Sequence, residues 1–194
     1  MIFFSGIGNL GIVWIVLALV LVMRRKTRNY GIILLLALLI TAILGEGILK
    51  NIIKRNRPFI VLNDLKLLIP PPGSYSFPSG HTASSFTAFG VFYFLKLRYR
   101  WPVFFIAFFI AFSRIYLGVH YFTDIIGGII LGMGVAYMVC SYYKKNSDRI
   151  NSNKITGKGL GEKDPIAPNS NPDGTDNPEG RARNRRTEFK ITAN

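Results

Sequence analysis

The sequence has a single cysteine, Cys140, and only two histidines, with ten acidic residues against 24 basic ones in 194. A lone cysteine inside an apolar run excludes a disulfide framework and a cysteine-based metal site, so Cys140 reads as a packing residue. Charge is also missing over long stretches. There is none in the first 23 residues, only Glu46 between 30 and 49, and none from 125 to 143. In a chain that is 49% hydrophobic, such runs exclude an ordinary soluble domain and match bilayer-crossing helices, which need about 20 apolar residues. The first run lacks the basic start of a signal peptide. Its basic cluster, Arg24, Arg25, Lys26 and Arg28, comes after it, so a retained spanning helix is expected.

Two shorter apolar stretches lie at 79 to 95, uncharged apart from the titratable His81, and at 101 to 119, interrupted by Arg114. They bring the expected fold to an all-α integral membrane bundle of about five spanning helices, occupying residues 1–143. The net charge of +14 does not point to nucleic acid. The basic residues sit in short clusters between apolar segments, where they set topology and touch the anionic headgroups of membrane lipids. Five crossings place the clusters at 24–28, 96–100 and 144–149 on one side, which the positive-inside rule makes cytoplasmic. A multi-pass protein of a bacterial-type plasma membrane is expected. Lys50, Lys54, Arg55, Arg57, Lys66 and Arg114 then fall on the outer side against the rule, and a polyanionic ligand accounts for them. Gly128 and Gly132 form a small-xxx-small pair suited to close helix packing, and Pro102 suits a helix start.

Three polar groupings meet on that outer side: Lys50-x6-Arg57-Pro58, Pro78-Ser79-Gly80-His81, and Ser113-Arg114-x5-His120-x3-Asp124. Lys50, Arg57 and Arg114 would repel one another without an anion, and phosphate matches forked arginine donors and a lysine point charge. Ser79 and Gly80 open a helix whose free N–H groups favour the same anion. His120 and Asp124 are four apart, so the carboxylate can fix the tautomer of the imidazole and stabilise its cation. This suits a histidine nucleophile. His81 is the other histidine, available as the acid that a leaving oxygen needs. Ionisable residues in spanning segments are costly and by default functional.

These groupings resemble the three signature motifs of the type 2 phosphatidic acid phosphatase family, related to vanadium haloperoxidases and some bacterial acid phosphatases, over roughly residues 5 to 143. The resemblance implies that His120 attacks phosphorus to form a phosphohistidine and that Asp124 orients it. It further implies that His81 protonates the leaving group and then activates water, and that Lys50, Arg57, Ser79, Gly80 and Arg114 hold the phosphoryl oxygens. No metal or other cofactor is expected. Many members have six spanning helices or an amphipathic segment before the first, whereas here the chain begins directly in the first apolar run. The implied substrate is a lipid phosphate or diphosphate met on the extracytoplasmic side, with undecaprenyl diphosphate favoured over phosphatidylglycerol phosphate and phosphatidic acid. Transfer of the phosphate to another lipid is the alternative within enzymes, and a non-enzymatic lipid-binding or transport protein the alternative outside them.

After Tyr143 the composition turns to Asn, Gly, Pro, Lys and Asp, and residues 144–194 are expected to be a disordered polar tail without its own core. From about Gly157 to Ile191, including Gly180-Arg181-x2-Asn184-Arg185-Arg186 and Glu188-Phe189-Lys190-Ile191, the tail is similar to the end of outer-membrane protein A-like peptidoglycan-binding domains. Only the last part of such a domain is present. The expectation is therefore a fusion or gene-boundary fragment, not peptidoglycan binding.

Overall fold

The computed structural model describes residues 1–8, 11–62, 67–159, 165–185 and 187–191; Lys66 and Arg186 lie outside the described residues. The chain divides into two compact units, Met1–Tyr143 and Lys144–Asn194.

In the first unit, the apolar run expected to form one helix forms two, α1 (Ile2–Ile7) and α2 (Ile12–Met23). Gly11 at the break has φ +67°, in the left-handed region open to glycine, and a Cβ there would lie 3.3 Å from Ser84 Cβ. A side chain would be strained by the backbone and crowded by its neighbour. Helix α3 (Arg28–Ala42) runs without interruption into a π-helical segment, Ile43–Leu49, and then α4 (Lys50–Ile53). Lys54 ends α4 in a left-handed conformation (φ 48°). The chain then passes extended through Arg57 into α5 (Pro58–Val61), with proline in the first turn, where its missing N–H costs little. Helices α6 (Gly80–Phe94) and α7 (Arg100–Tyr116) follow, and α8 (Phe122–Lys154) starts in this unit.

Small residues and paired hydroxyls hold these helices together, as is usual where lipid removes the hydrophobic drive between helices. A Cβ at Gly31 would lie 2.6 Å from Ala18 O, so α2 and α3 touch backbone to backbone. A Cβ at Gly132 would lie 2.4 Å from Ala83 O, and one at Gly128 2.9 Å from Ser79 O. The small-xxx-small pair thus seats α8 on α6. Trp14 Nε1 donates to Ser85 Oγ at 3.0 Å, and the buried hydroxyls of Thr41 and Thr87 meet at 2.8 Å. These bonds join α2 and α3 to α6 and leave those groups satisfied away from water.

Large apolar side chains also lie on the surface. Phe105, Phe108, Phe109 and Phe112 on α7 and Ile126 and Ile130 on α8 are exposed, a pattern that fits contact with lipid and not water. Among the described residues, two helices are long and apolar enough to cross a membrane, Arg28–Val61 (34 residues) and Phe122–Ser147 (26 residues), with Ile12–Met23 shorter. Helices occur at all five expected positions, but α6 and α7 have 15 and 17 residues, short of the roughly 20 that a perpendicular crossing takes.

The second unit is the segment expected to be a polar tail without its own core. Strands β1 (Ile155–Gly159) and β2 (Thr187–Ile191) pair antiparallel, with Gly157 opposite Phe189, and a short helix α9 (Pro178–Asn184) lies between them in sequence. Asn177 caps α9 by accepting from Gly180 N at 2.9 Å. Asn184 is buried and bonds the backbone of Ile166 and Ala167. This local order rests on asparagine side chains substituting for backbone partners, which a reading for apolar clusters does not detect.

Candidate active site

Six of the residues singled out from the sequence, Lys50, Arg57, Gly80, His81, Arg114 and His120, line one cavity of about 1020 Å³. Its other end is apolar, formed by Ile2, Ile15, Leu35, Leu38 and Leu39. The cavity therefore offers an oily lane that ends on cations, which suits an amphiphile with an anionic head.

At the polar end the side chains are held from several directions. Arg57 is buried; its Nε donates to Ser74 O at 2.6 Å, its Nη1 to Val119 O at 2.9 Å and its Nη2 to Ser74 Oγ at 3.1 Å. Backbone carbonyls thus fix the fork before any ligand arrives. Lys50, also buried, reaches the same Ser74 Oγ at 3.1 Å and pairs with both oxygens of Glu46 at 2.8 Å. Arg114 is buried in the last turn of α7.

His120 stands in the turn between α7 and α8. Its Nδ1 lies 3.3 Å from Asp124 Oδ2 and its Nε2 lies 3.2 Å from Arg57 Nη1. With Nδ1–H donating to the carboxylate, Nε2 presents its lone pair toward the arginine fork. Burial holds the imidazole down to about pKa 4, the Arg57 and Arg114 cations adding to the effect and the hydrogen bond to Asp124 opposing it. The ring is therefore neutral at neutral pH, the form a nucleophile requires.

Asp124 does not line the cavity; it lies behind His120, fully buried. Its Oδ2 also accepts from Ser76 Oγ at 2.5 Å and Tyr121 N at 2.9 Å, and its Oδ1 accepts from Arg55 Nη1 at 2.8 Å. Four donors converge on one carboxylate, which fixes its orientation. Ser79 is the N-cap of α6, where its Oγ accepts from Thr82 N at 3.5 Å and Thr82 Oγ1 at 3.0 Å. Its N–H donates to Asp124 O at 3.1 Å, so the starts of α6 and α8 are tied by a backbone bond.

The PAP2 superfamily pattern matches residues 30–148. The chain belongs to the PAP2 superfamily. An undecaprenyl-diphosphatase of Sulfolobus acidocaldarius is 34% identical over 139 residues, covering 71% of this chain and 66% of that protein. The present chain thus spans just under two thirds of that relative's length. The crystal structure of a transmembrane PAP2-type phosphatidylglycerolphosphate phosphatase from Bacillus subtilis superposes with a TM-score of 0.58 at 31% identity, covering 73% of this chain and 75% of that one. Aquifex aeolicus LpxE superposes with a TM-score of 0.61 at 34% identity, covering 73% and 85%. Like these PAP2 proteins, the chain is a helical membrane protein.

Four contributors to this candidate site were not picked out from the sequence as part of it: Ser74, Ser76, Arg55 and Glu46. The two serines lie in a loop without periodicity and carried no signal. Arg55 was counted only as a charge on the outer side. Glu46 did carry one, as the sole charge in an apolar run and four residues before Lys50, the spacing of a helical ion pair.

Proposed function

We propose that the protein hydrolyses the terminal phosphate of a membrane lipid phosphate or diphosphate through a phosphohistidine on His120. The observation that carries this reading is the neutral His120 imidazole, backed by Asp124 and aimed at the Arg57 fork, at the cationic end of a cavity whose other end is apolar. In the first step His120 Nε2 forms a bond to phosphorus as the bond from phosphorus to the leaving oxygen breaks. His81 supplies the proton that this oxygen takes up, and Asp124 stabilises the charge on the imidazole. In the second step His81 takes a proton from water, water oxygen bonds phosphorus, and the bond from phosphorus to Nε2 breaks. Lys50, Arg57, Arg114 and the N–H groups at the start of α6 stabilise the oxygens throughout, the electrostatic part of catalysis. These cations supply the charge that magnesium provides in other phosphoryl-transfer sites, so the reaction as proposed needs no metal.

Undecaprenyl diphosphate is the substrate we favour, on the name and 34% identity of the Sulfolobus relative and on the apolar side chains that line the cavity beside its cations. The basic loops support five crossings with the site on the extracytoplasmic side. The test uses purified protein with terminally ³²P-labelled undecaprenyl diphosphate, phosphatidylglycerol phosphate and phosphatidic acid, quenched in alkali to preserve a phosphoramidate. Label is expected on the protein and then as free phosphate, both lost in His120→Ala. Turnover persisting in that variant would rule out the mechanism, and label passing to a second lipid would make the protein a phosphotransferase.

A further inference from the structure

Glu46 has no part in the steps above, yet it sits inside the phosphate pocket. It is the sole charge between residues 30 and 49, and a carboxylate in an apolar span is costly. Both its oxygens lie 2.8 Å from Lys50 Nζ. A Cβ on Gly80 would fall 2.2 Å from its Oε1, so the carboxylate rests against the backbone of the first residue of α6. It has the surroundings that stabilise a phosphoryl oxygen, an ammonium on one side and a helix N-terminus on the other. Lys50 has a second anchor, because Ser74 Oγ also holds Nζ at 3.1 Å and is itself fixed by Arg57. The Glu46 side chain is 49% exposed, which leaves it room to swing out.

We propose that Glu46 is a resident anion of the pocket, which an incoming phosphate must displace, and that it thereby selects dianionic terminal phosphates over the monoanionic phosphodiester groups of bulk lipids. This rests on the reading of the cavity as a lipid phosphate site. Replacing one single negative charge by another gains nothing against Lys50, Arg57 and Arg114 and costs desolvation. Replacing it by a double charge gains a net attraction.

The experiment titrates full-length, detergent-solubilised protein with inorganic phosphate at pH 8 and with short-chain phosphatidylglycerol, followed by ³¹P NMR, in the wild type, Glu46→Gln and Glu46→Asp. Glutamine keeps the shape and removes the charge; it is expected to bind phosphate about tenfold tighter, as loss of a near like charge implies, and to bind phosphatidylglycerol where the wild type does not. Aspartate keeps the charge but withdraws it from Gly80 by one methylene, and is expected to fall between. If the carboxylate only props Lys50, Glu46→Gln binds phosphate more weakly, and this result, or unchanged binding in both variants, overturns the proposal. Because binding is read without turnover, tighter phosphate binding in a protein that hydrolyses none of the lipids would retain the role of Glu46 and remove the phosphatase reading. Turnover with unchanged phosphate binding would do the reverse.

Discussion

Arg55 and Asp124 form a 2.8 Å ion pair in which the carboxylate is fully buried and the arginine side chain is 36% exposed. The guanidinium also stacks 4.0 Å over the Tyr121 ring and donates to Thr123 Oγ1 at 2.6 Å. It clamps, from the outside, the carboxylate that holds His120. Losing one charge-assisted hydrogen bond of about 1.5–3 kcal/mol from this support corresponds to roughly a ten- to hundredfold fall in kcat. Arg55→Ala is expected to show that fall with little change in KM, and Arg55→Lys a partial recovery. A raised KM at unchanged kcat would place Arg55 in substrate binding instead.

The low pKa of His120 gives a direct test. The neutral ring is lost only as pH falls through about 4, well below the 6.5 of an ordinary imidazole. The chain has two histidines, so in His81→Gln a single imidazole signal remains. In phosphate-free protein, its NMR shift is expected to stay constant from pH 8 down to 5 and to titrate near 4. Between 6.5 and 4 the unfolded chain binds the extra proton, so this group makes stability fall as pH falls across that window. A midpoint near 6.5 would contradict a buried, neutral imidazole at this position.

Transition-state mimicry offers a third check. Vanadate adopts the five-coordinate geometry of phosphoryl transfer and is expected to inhibit competitively, as transition-state analogues do. Activity is expected to survive EDTA. Loss of turnover in EDTA, restored by magnesium, would argue for a different mechanism.

Topology links the motifs to one compartment. A cysteine placed at Gly73, in a Cys140→Ser background, is expected to react with an impermeant maleimide on intact cells, and a reporter fused after Asn194 is expected to behave as cytoplasmic. Labelling that requires permeabilised membranes would move the chemistry to cytoplasmic-leaflet lipids.

The residues lining the pocket were legible because their chemistry is conspicuous in an apolar chain. Lys50, Arg57, Arg114 and the two histidines stand out where charge is expensive, and the four-residue step from His120 to Asp124 already implies contact. Positions that act through shape were not. The break at Gly11 depends on a left-handed φ next to Ser84, and nothing in a run of apolar residues fixes where a helix stops. Ser74 and Ser76 act because the loop after α5 folds back over Arg57 and Asp124, a long-range placement that local patterns do not encode. The lengths of the shorter helices were equally hidden, since apolar composition at 79–95 and 101–119 does not show that α6 and α7 stop at 15 and 17 residues.

The glycine contact between α6 and α8 has a consequence for how a headgroup gets in. With Gly132 seated on Ala83 O and Ser79 N bonded to Asp124 O, the two helix starts carrying Gly80, His81 and Asp124 cannot separate without breaking backbone contacts. They form a fixed anvil. Widening of the cavity is then left to the walls that this contact does not tie, among them the π-helical stretch that carries Glu46 and leads into Lys50, a kind of turn found frequently at functional sites. A headgroup that made room for itself there would leave Gly80, His81 and Asp124 where they stand.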